Sequence, residues 1–269
     1  MQIRIGFDIV TEQDAPVPTV ALLSVHPDAA SRLHAPEVLH SDPPIPIAEY
    51  RDTFGNRCHR FVAPAGPLRL WTESVVEDSG EHDPQVTEAF QHPVEELPDD
   101  VLQFLLPSRY CEVDLLGDFA WEKFGHTNPG WDRVQAISDY THSHVEYGYH
   151  YAHPTKTAND VFKEGGGVCR DYQHLAVTLC RCMNIPARYV SGYLGDILFE
   201  PIPGPMDFHA WFEAYLGGQW HTFDARHNVP RVGRVLMSRG RDAADVALTT
   251  TFGLSRLMKF EVTAEEIQG

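Results

Sequence analysis

A chain of 269 residues, 43% hydrophobic and 22% charged, has the composition of a soluble globular protein with one large domain or two ordinary ones. Its formal net charge of -17 disfavours nucleic acid and anionic membrane as partners, because both need a basic footprint. The opening MQIRIGFDIVTEQDAP has no apolar run behind a basic end, no stretch of about 18 apolar residues occurs, and the five cysteines are irregularly spaced, so a cytoplasmic protein with free thiols is expected.

In chain order, short strand-like pieces come first: IRIGFDIV, TVALLSVH and LRLWTESVV, separated by Pro, Asp and Gly turn signals. They predict an all-β module from Ile3 to about Thr72. A Pro- and acid-rich stretch from Glu77 to Asp100 reads as a connection. From Val101 the pattern turns helical, and CEVDLLGDFAWEKFG and WDRVQAISDYTHSHVEY carry apolar residues at spacings of three and four. Strands resume in ARYVSGYL, FHAWFEAYL, QWHTFDA, RVGRVLM and LMKFEV. The expected fold class is α+β, with an amino-terminal β-rich domain and acidic linker over residues 1–97 and a second domain over 98–269.

Between the helices and the later strands lies EGGGVCRDYQHLAVTLC. A helix from Cys169 to Met183 places Tyr172, Leu175, Ala176, Leu179 and Met183 on one stripe, and Asn184, Ile185 and Pro186 end it. Cys169 then sits in the first turn, where unpaired N–H groups and the helix dipole favour thiolate over thiol. Gly165, Gly166 and Gly167 lack Cβ atoms, so a substrate chain can approach the sulfur closely. The Cys169 N–H is a candidate oxyanion donor. A buried, inert cysteine is the alternative at this point.

A thiol nucleophile needs an imidazole and a group that fixes its tautomer. In FHAWFEAYLGGQWHTFDAR, Gly217 and Gly218 form a two-residue hairpin signal. With Leu216 paired to Gln219, Trp211 faces Asp224 and His209 faces Arg226. His209 and Asp224 then share one sheet face as diagonal neighbours about 7 to 8 Å apart at the backbone. A slip of one residue would send Asp224 to the other face. The candidate triad is Cys169, His209 and Asp224.

Together GGGVCRDYQHL, NIPARYVSGYL, HAWFEAYLGGQW and FDARHN resemble the transglutaminase-like superfamily, a papain-like cysteine-protease fold with chain order Cys, His, Asp. LPSRYCEVD, the β-rich front and RHNVPRVGRVLMSRGRDAADVALTTTFG are similar to the bacterial members that carry their own amino-terminal domain. The resemblance implies Cys169 as nucleophile, His209 as general base and acid, and Asp224 as orienter. Two departures stand out: Ala225 follows the acid where many members have proline, and no acidic cation-binding loop is visible. The upstream tryptophan that supplies the second oxyanion donor in animal enzymes does not carry over, since Trp131 falls in a predicted helix; Tyr147, Tyr149 and Gln173 are the substitutes considered.

Among the remaining features, Gly167, Trp211 and Arg170 are candidates for the oxyanion or substrate site, Arg170 as a holder of a substrate carboxylate. Asp171 is placed to bond first-turn amides. The 15 histidines raise a metal site, but His142 and His144, two apart on a helix, diverge by about 200°. No metal and no cofactor is expected. The expected function is a cysteine-dependent amide hydrolase acting on a peptide or protein through a thioester. Acyl transfer to an amine, acetyl transfer from a small thioester donor and a non-catalytic binding scaffold are the alternatives.

Overall fold

The computed structural model describes residues 1–200 and 206–267. Alternation of Ile3, Ile5, Phe7 and Ile9 with outward-facing residues makes one long strand, β1 (Gln2–Gln13), with a single buried row. It is followed by β2 (Val17–Ala21), β3 (His40–Asp42), β4 (Ala48–Arg51), β5 (Arg57–Ala63) and β6 (Gly66–Glu77). The helical part holds α1 (Val113–Phe124) and α2 (Trp131–His144), then β7 (Glu146–Tyr147), α3 (Ala158–Glu164), β8 (Gly166–Gly167) and α4 (Cys169–Cys182). The chain continues with β9 (Ala187–Tyr193), β10 (His209–Leu216), β11 (Gln219–Phe223), β12 (Val235–Gly240), β13 (Thr249–Thr251) and β14 (Arg256–Glu266).

These strands form sheets ordered β14-β1-β6-β3, β13-β2-β5-β4 and β11-β10-β9-β12, with a parallel pair β7-β8 beside the helices. The α+β class is as expected, but the division into 1–97 and 98–269 is not how the sheets divide. Val262 and Ala264 of β14 pair with Phe7 and Ile5 of β1, and β13 pairs with β2, so the chain's last strands complete the amino-terminal β part. A shared core joins Ile3, Phe7 and Leu70 to Tyr193 and Met237 of the later sheet and to Phe208 just before β10. The acidic stretch after β6 is not a loose connection either. Ala89 accepts from Trp131 N–H at 2.9 Å, Gln91 donates to Met183 O at 2.8 Å, and Asp83 binds Arg234.

Helix α4 is buried on every side, touching α1, α2, α3, β9 and β10. Its predicted apolar stripe is in the core. Two of its buried polar residues bond internally: Thr178 donates to His174 O at 2.7 Å, and Arg181 donates to the carbonyls of Ala187, Leu106 and Arg241. Asn184, at φ 61°, turns the chain out of the helix. The β10–β11 turn has Gly217 and Gly218 at φ 57° and 84°, and Leu216 pairs with Gln219, the register the sequence specifies. Among the described residues no helix is long and apolar enough to cross a membrane.

Candidate active site

Cys169 is the first residue of α4. Gly165, at φ 67°, closes α3 in the left-handed conformation, and the backbone runs through β8 to Val168, whose N–H is held by Asp171 Oδ2 at 3.0 Å. This fixes the entry of the helix, as expected for Asp171. The first bonds of α4 run from the N–H groups of Asp171 and Tyr172 to Val168 O, so those of Cys169 and Arg170 precede the intrahelical ladder. The sulfur is half-buried.

His209 opens β10 and Asp224 follows the end of β11, and the hairpin register brings them together. His209 Nε2 lies 2.7 Å from Asp224 Oδ2, with both residues 5% exposed. Bonding through Nε2 leaves Nδ1 as the atom with which His209 can serve the sulfur. Asp224 is saturated with donors. Oδ2 also accepts from Arg234 Nη2 at 3.1 Å, and Oδ1 accepts from Gln173 Nε2 at 3.3 Å and from the N–H groups of Arg226 and His227 at 3.1 and 3.2 Å. Although burial opposes ionisation, His209 and Arg234 hold its carboxyl well below the usual range.

Cys169 and His209 line one cleft of about 590 Å³, bounded by Tyr189, Ala210, Val246 and Leu248. Among the described residues its lining starts at Tyr110, so the first six strands contribute nothing to it. The thiolate expected from the helix terminus is opposed by its surroundings in the fold. Burial and the Asp207 carboxylate push the Cys169 thiol up to about 11, outweighing Arg226 and the nearby N–H groups of Ala210 and Arg170. His209 is lowered, first by burial, against the pull of Asp224 and with Arg234 and Arg226 assisting.

Several candidates have other occupations. A Cβ on Gly167 would come within 2.6 Å of Asp171 Cβ, and one on Gly166 within 2.6 Å of the Tyr151 ring, so these glycines make room for neighbouring side chains of the protein itself. Gln173 is fully buried, donates to Asp224, accepts from Ala225 N–H at 3.2 Å, and is not among the residues that line the cleft. Trp211 alternates away from Phe212 as expected, but it is 2% exposed, stacked under Arg234 at 5.1 Å and fitted against Gly192. Tyr147 lies under the Arg226 guanidinium at 4.0 Å, with Tyr149 at its edge. Arg170 does line the cleft, yet it is engaged by Asp171 at 3.0 Å and by His153 O at 2.6 Å. Arg234, Asp83 and Asp207 were not singled out from the sequence. Only a second basic residue in RVGRVLM and an acid two before the histidine hinted at them.

His142 and His144 diverge as expected: His142 Nδ1 meets Arg226 O at 2.9 Å and His144 Nε2 meets Phe162 O at 2.8 Å. Among the described residues one group, His209, Asp224 and His227, gathers three potential ligand atoms within 4.8 Å. Two of its three residues already accept from guanidinium groups, Asp224 from Arg234 and His227 Nδ1 from Arg231 at 3.0 Å. Burial and the surrounding cations push His227 down to about 3.

The fold is shared with known proteins. Residues 120–225 match the transglutaminase-like superfamily. A Cytophaga hutchinsonii crystal structure described as a "putative cysteine protease" is 33% identical with a TM-score of 0.87, covering 100% of this chain and 91% of that one. An uncharacterised Mycobacterium leprae protein is 29% identical over 195 residues, 69% of this chain and 67% of that protein. An uncharacterised Mycobacterium tuberculosis protein is 33% identical over 100 residues, which span 31% of its length. The chain belongs to the transglutaminase-like superfamily.

Proposed function

We propose that this protein is a cysteine-dependent amide hydrolase that cleaves a peptide or protein amide through a thioester on Cys169. The observation that carries the reading is His209, held by Asp224 through Nε2 at 2.7 Å, opening into the cleft that also contains Cys169. As the sulfur attacks the carbonyl carbon, His209 Nδ1 takes the thiol proton, and Asp224 stabilises the imidazolium. The N–H of Cys169, which precedes the intrahelical ladder, is the donor for the tetrahedral oxyanion. Collapse breaks the C–N bond, and His209 returns the proton to the leaving amine. Water then attacks the thioester with His209 as base, which releases the acid and restores the thiol.

All five cysteines are free, which supports a reducing compartment such as the cytoplasm. The test is turnover of a quenched-peptide library by wild type, Cys169→Ala and His209→Ala, with and without a primary amine, and mass spectrometry of acid-quenched protein. An acyl adduct on Cys169, acid products and loss of turnover in both variants are expected. Turnover that persists in Cys169→Ala would overturn the reading. Conversion of products to substituted amides would select amine transfer instead.

A further inference from the structure

Asp207 stands two residues before His209 and lines the same cleft as Cys169. It is half-buried and has no ion-pair partner among the described residues. The neighbouring stretch 201–205, Pro-Ile-Pro-Gly-Pro, carries no charge. The cations nearby are committed elsewhere: Arg170 to Asp171 and the His153 carbonyl, and Arg226 to the face of Tyr147. Burial pushes the Asp207 carboxyl up, with only partial relief from Arg226 and the Phe208 N–H. Around it Tyr189, Ala210, Val246, Ala247 and Leu248 form mostly apolar walls, which concentrate the field of one charge. A carboxylate so placed is completed by a cation brought from outside.

Resting on the assignment of Cys169 as nucleophile, we propose that Asp207 is a specificity-determining residue that receives a cationic group, ammonium or guanidinium, of the amide bound across Cys169. Recognition and activation are then linked. The same carboxylate helps to keep the thiol protonated, so a substrate cation that neutralises it also makes the sulfur easier to ionise. Neutral and anionic amides of equal size gain neither effect.

The test uses three methanethiosulfonate reagents, bearing a trimethylammonioethyl, a sulfonatoethyl or a methyl group, on the full chain at about 0.15 M salt, where the general field of the acidic protein is screened beyond about 8 Å. Modification of Cys169 is followed by mass spectrometry; the other four cysteines are buried. The ratio of cationic to anionic rates is expected to be about tenfold larger in wild type than in Asp207→Asn. Asp207→Glu should retain most of it. A change in thiol acidity alters all three rates together and cancels in the ratio. Equal ratios in wild type and Asp207→Asn would overturn the subsite. The rate with the methyl reagent in His209→Ala reports separately on the nucleophile: no change there, with the ratio intact, would remove the dyad and leave the cation site standing.

Discussion

Arg234 donates to the same oxygen of Asp224, Oδ2, that holds His209, at 3.1 Å against 2.7 Å. Asp83 grips Arg234 from the other side through Nε at 2.9 and 3.0 Å, so the guanidinium is fixed between two carboxylates. Arg234 thus keeps Asp224 ionised while repelling a proton from His209. Replacing it with Gln is expected to raise the His209 pKa. A base must be neutral to accept the thiol proton, so the acid limb of kcat/KM should move to higher pH, by roughly half to one unit. Arg234→Lys should move it less. An unshifted limb in Arg234→Gln would mean that the guanidinium serves packing over Trp211 alone.

How far this site was legible depends on how local its causes are. The Cys169 helix and the His209–Asp224 pairing follow from periodicity and a two-residue turn, both written within about twenty residues. Arg234 and Asp83 reach the same carboxylate from a later strand and from the stretch after β6, and no spacing rule connects them. The return of β14 to β1 is of the same kind, because alternation specifies a buried face and not which edge will receive it. The thiol's ionisation is only partly local in its causes. A helix terminus is visible in sequence, whereas the burial and the Asp207 carboxylate that oppose it arise only on folding.

The thiol's high pKa gives a direct expectation for alkylation. With Cys169 near 11, the thiolate fraction rises about tenfold per pH unit through pH 6 to 9. Iodoacetamide should label Cys169 with that slope and without an acid-side plateau. A plateau below pH 7 would reveal a preformed thiolate–imidazolium pair in the free protein.

Gln173 lies one turn along α4 from Cys169, and its amide bridges Asp224 and the Ala225 N–H. It couples the nucleophile's helix to the orienting acid. Gln173→Ala should lower kcat by roughly tenfold through a misplaced imidazole while leaving KM near its wild-type value. A change confined to KM would assign Gln173 to substrate contact.

Gly167→Ala drives a methyl into Asp171, the residue that caps α4. Overpacking at such a point costs about 1 to 3 kcal/mol, read as a lower Tm. Gly218→Ala meets nothing within 4 Å and is strained only by its φ of 84°. If Gly167→Ala were as stable as wild type, Asp171 would have to be free to move, and the fixed entry to the helix would be lost as an explanation.

Asp224 itself separates activity from stability. Asp224→Asn preserves the shape but cannot balance Arg234 or fix the His209 tautomer, so turnover should fall by about three to four orders of magnitude. The lost charge also leaves a buried guanidinium with one counter-ion instead of two, a cost of about 1 to 3 kcal/mol at pH 7. The sign of its pH dependence follows from a carboxyl whose folded pKa is depressed. Its stabilisation is complete above the unfolded value of about 3.9 and is lost as pH falls toward the folded one. Urea unfolding of wild type and Asp224→Asn should therefore differ most at pH 6 to 7 and converge below about pH 4. A gap of the same size at pH 7 and pH 3 would show that the side chain acts through its hydrogen bonds and not through its charge.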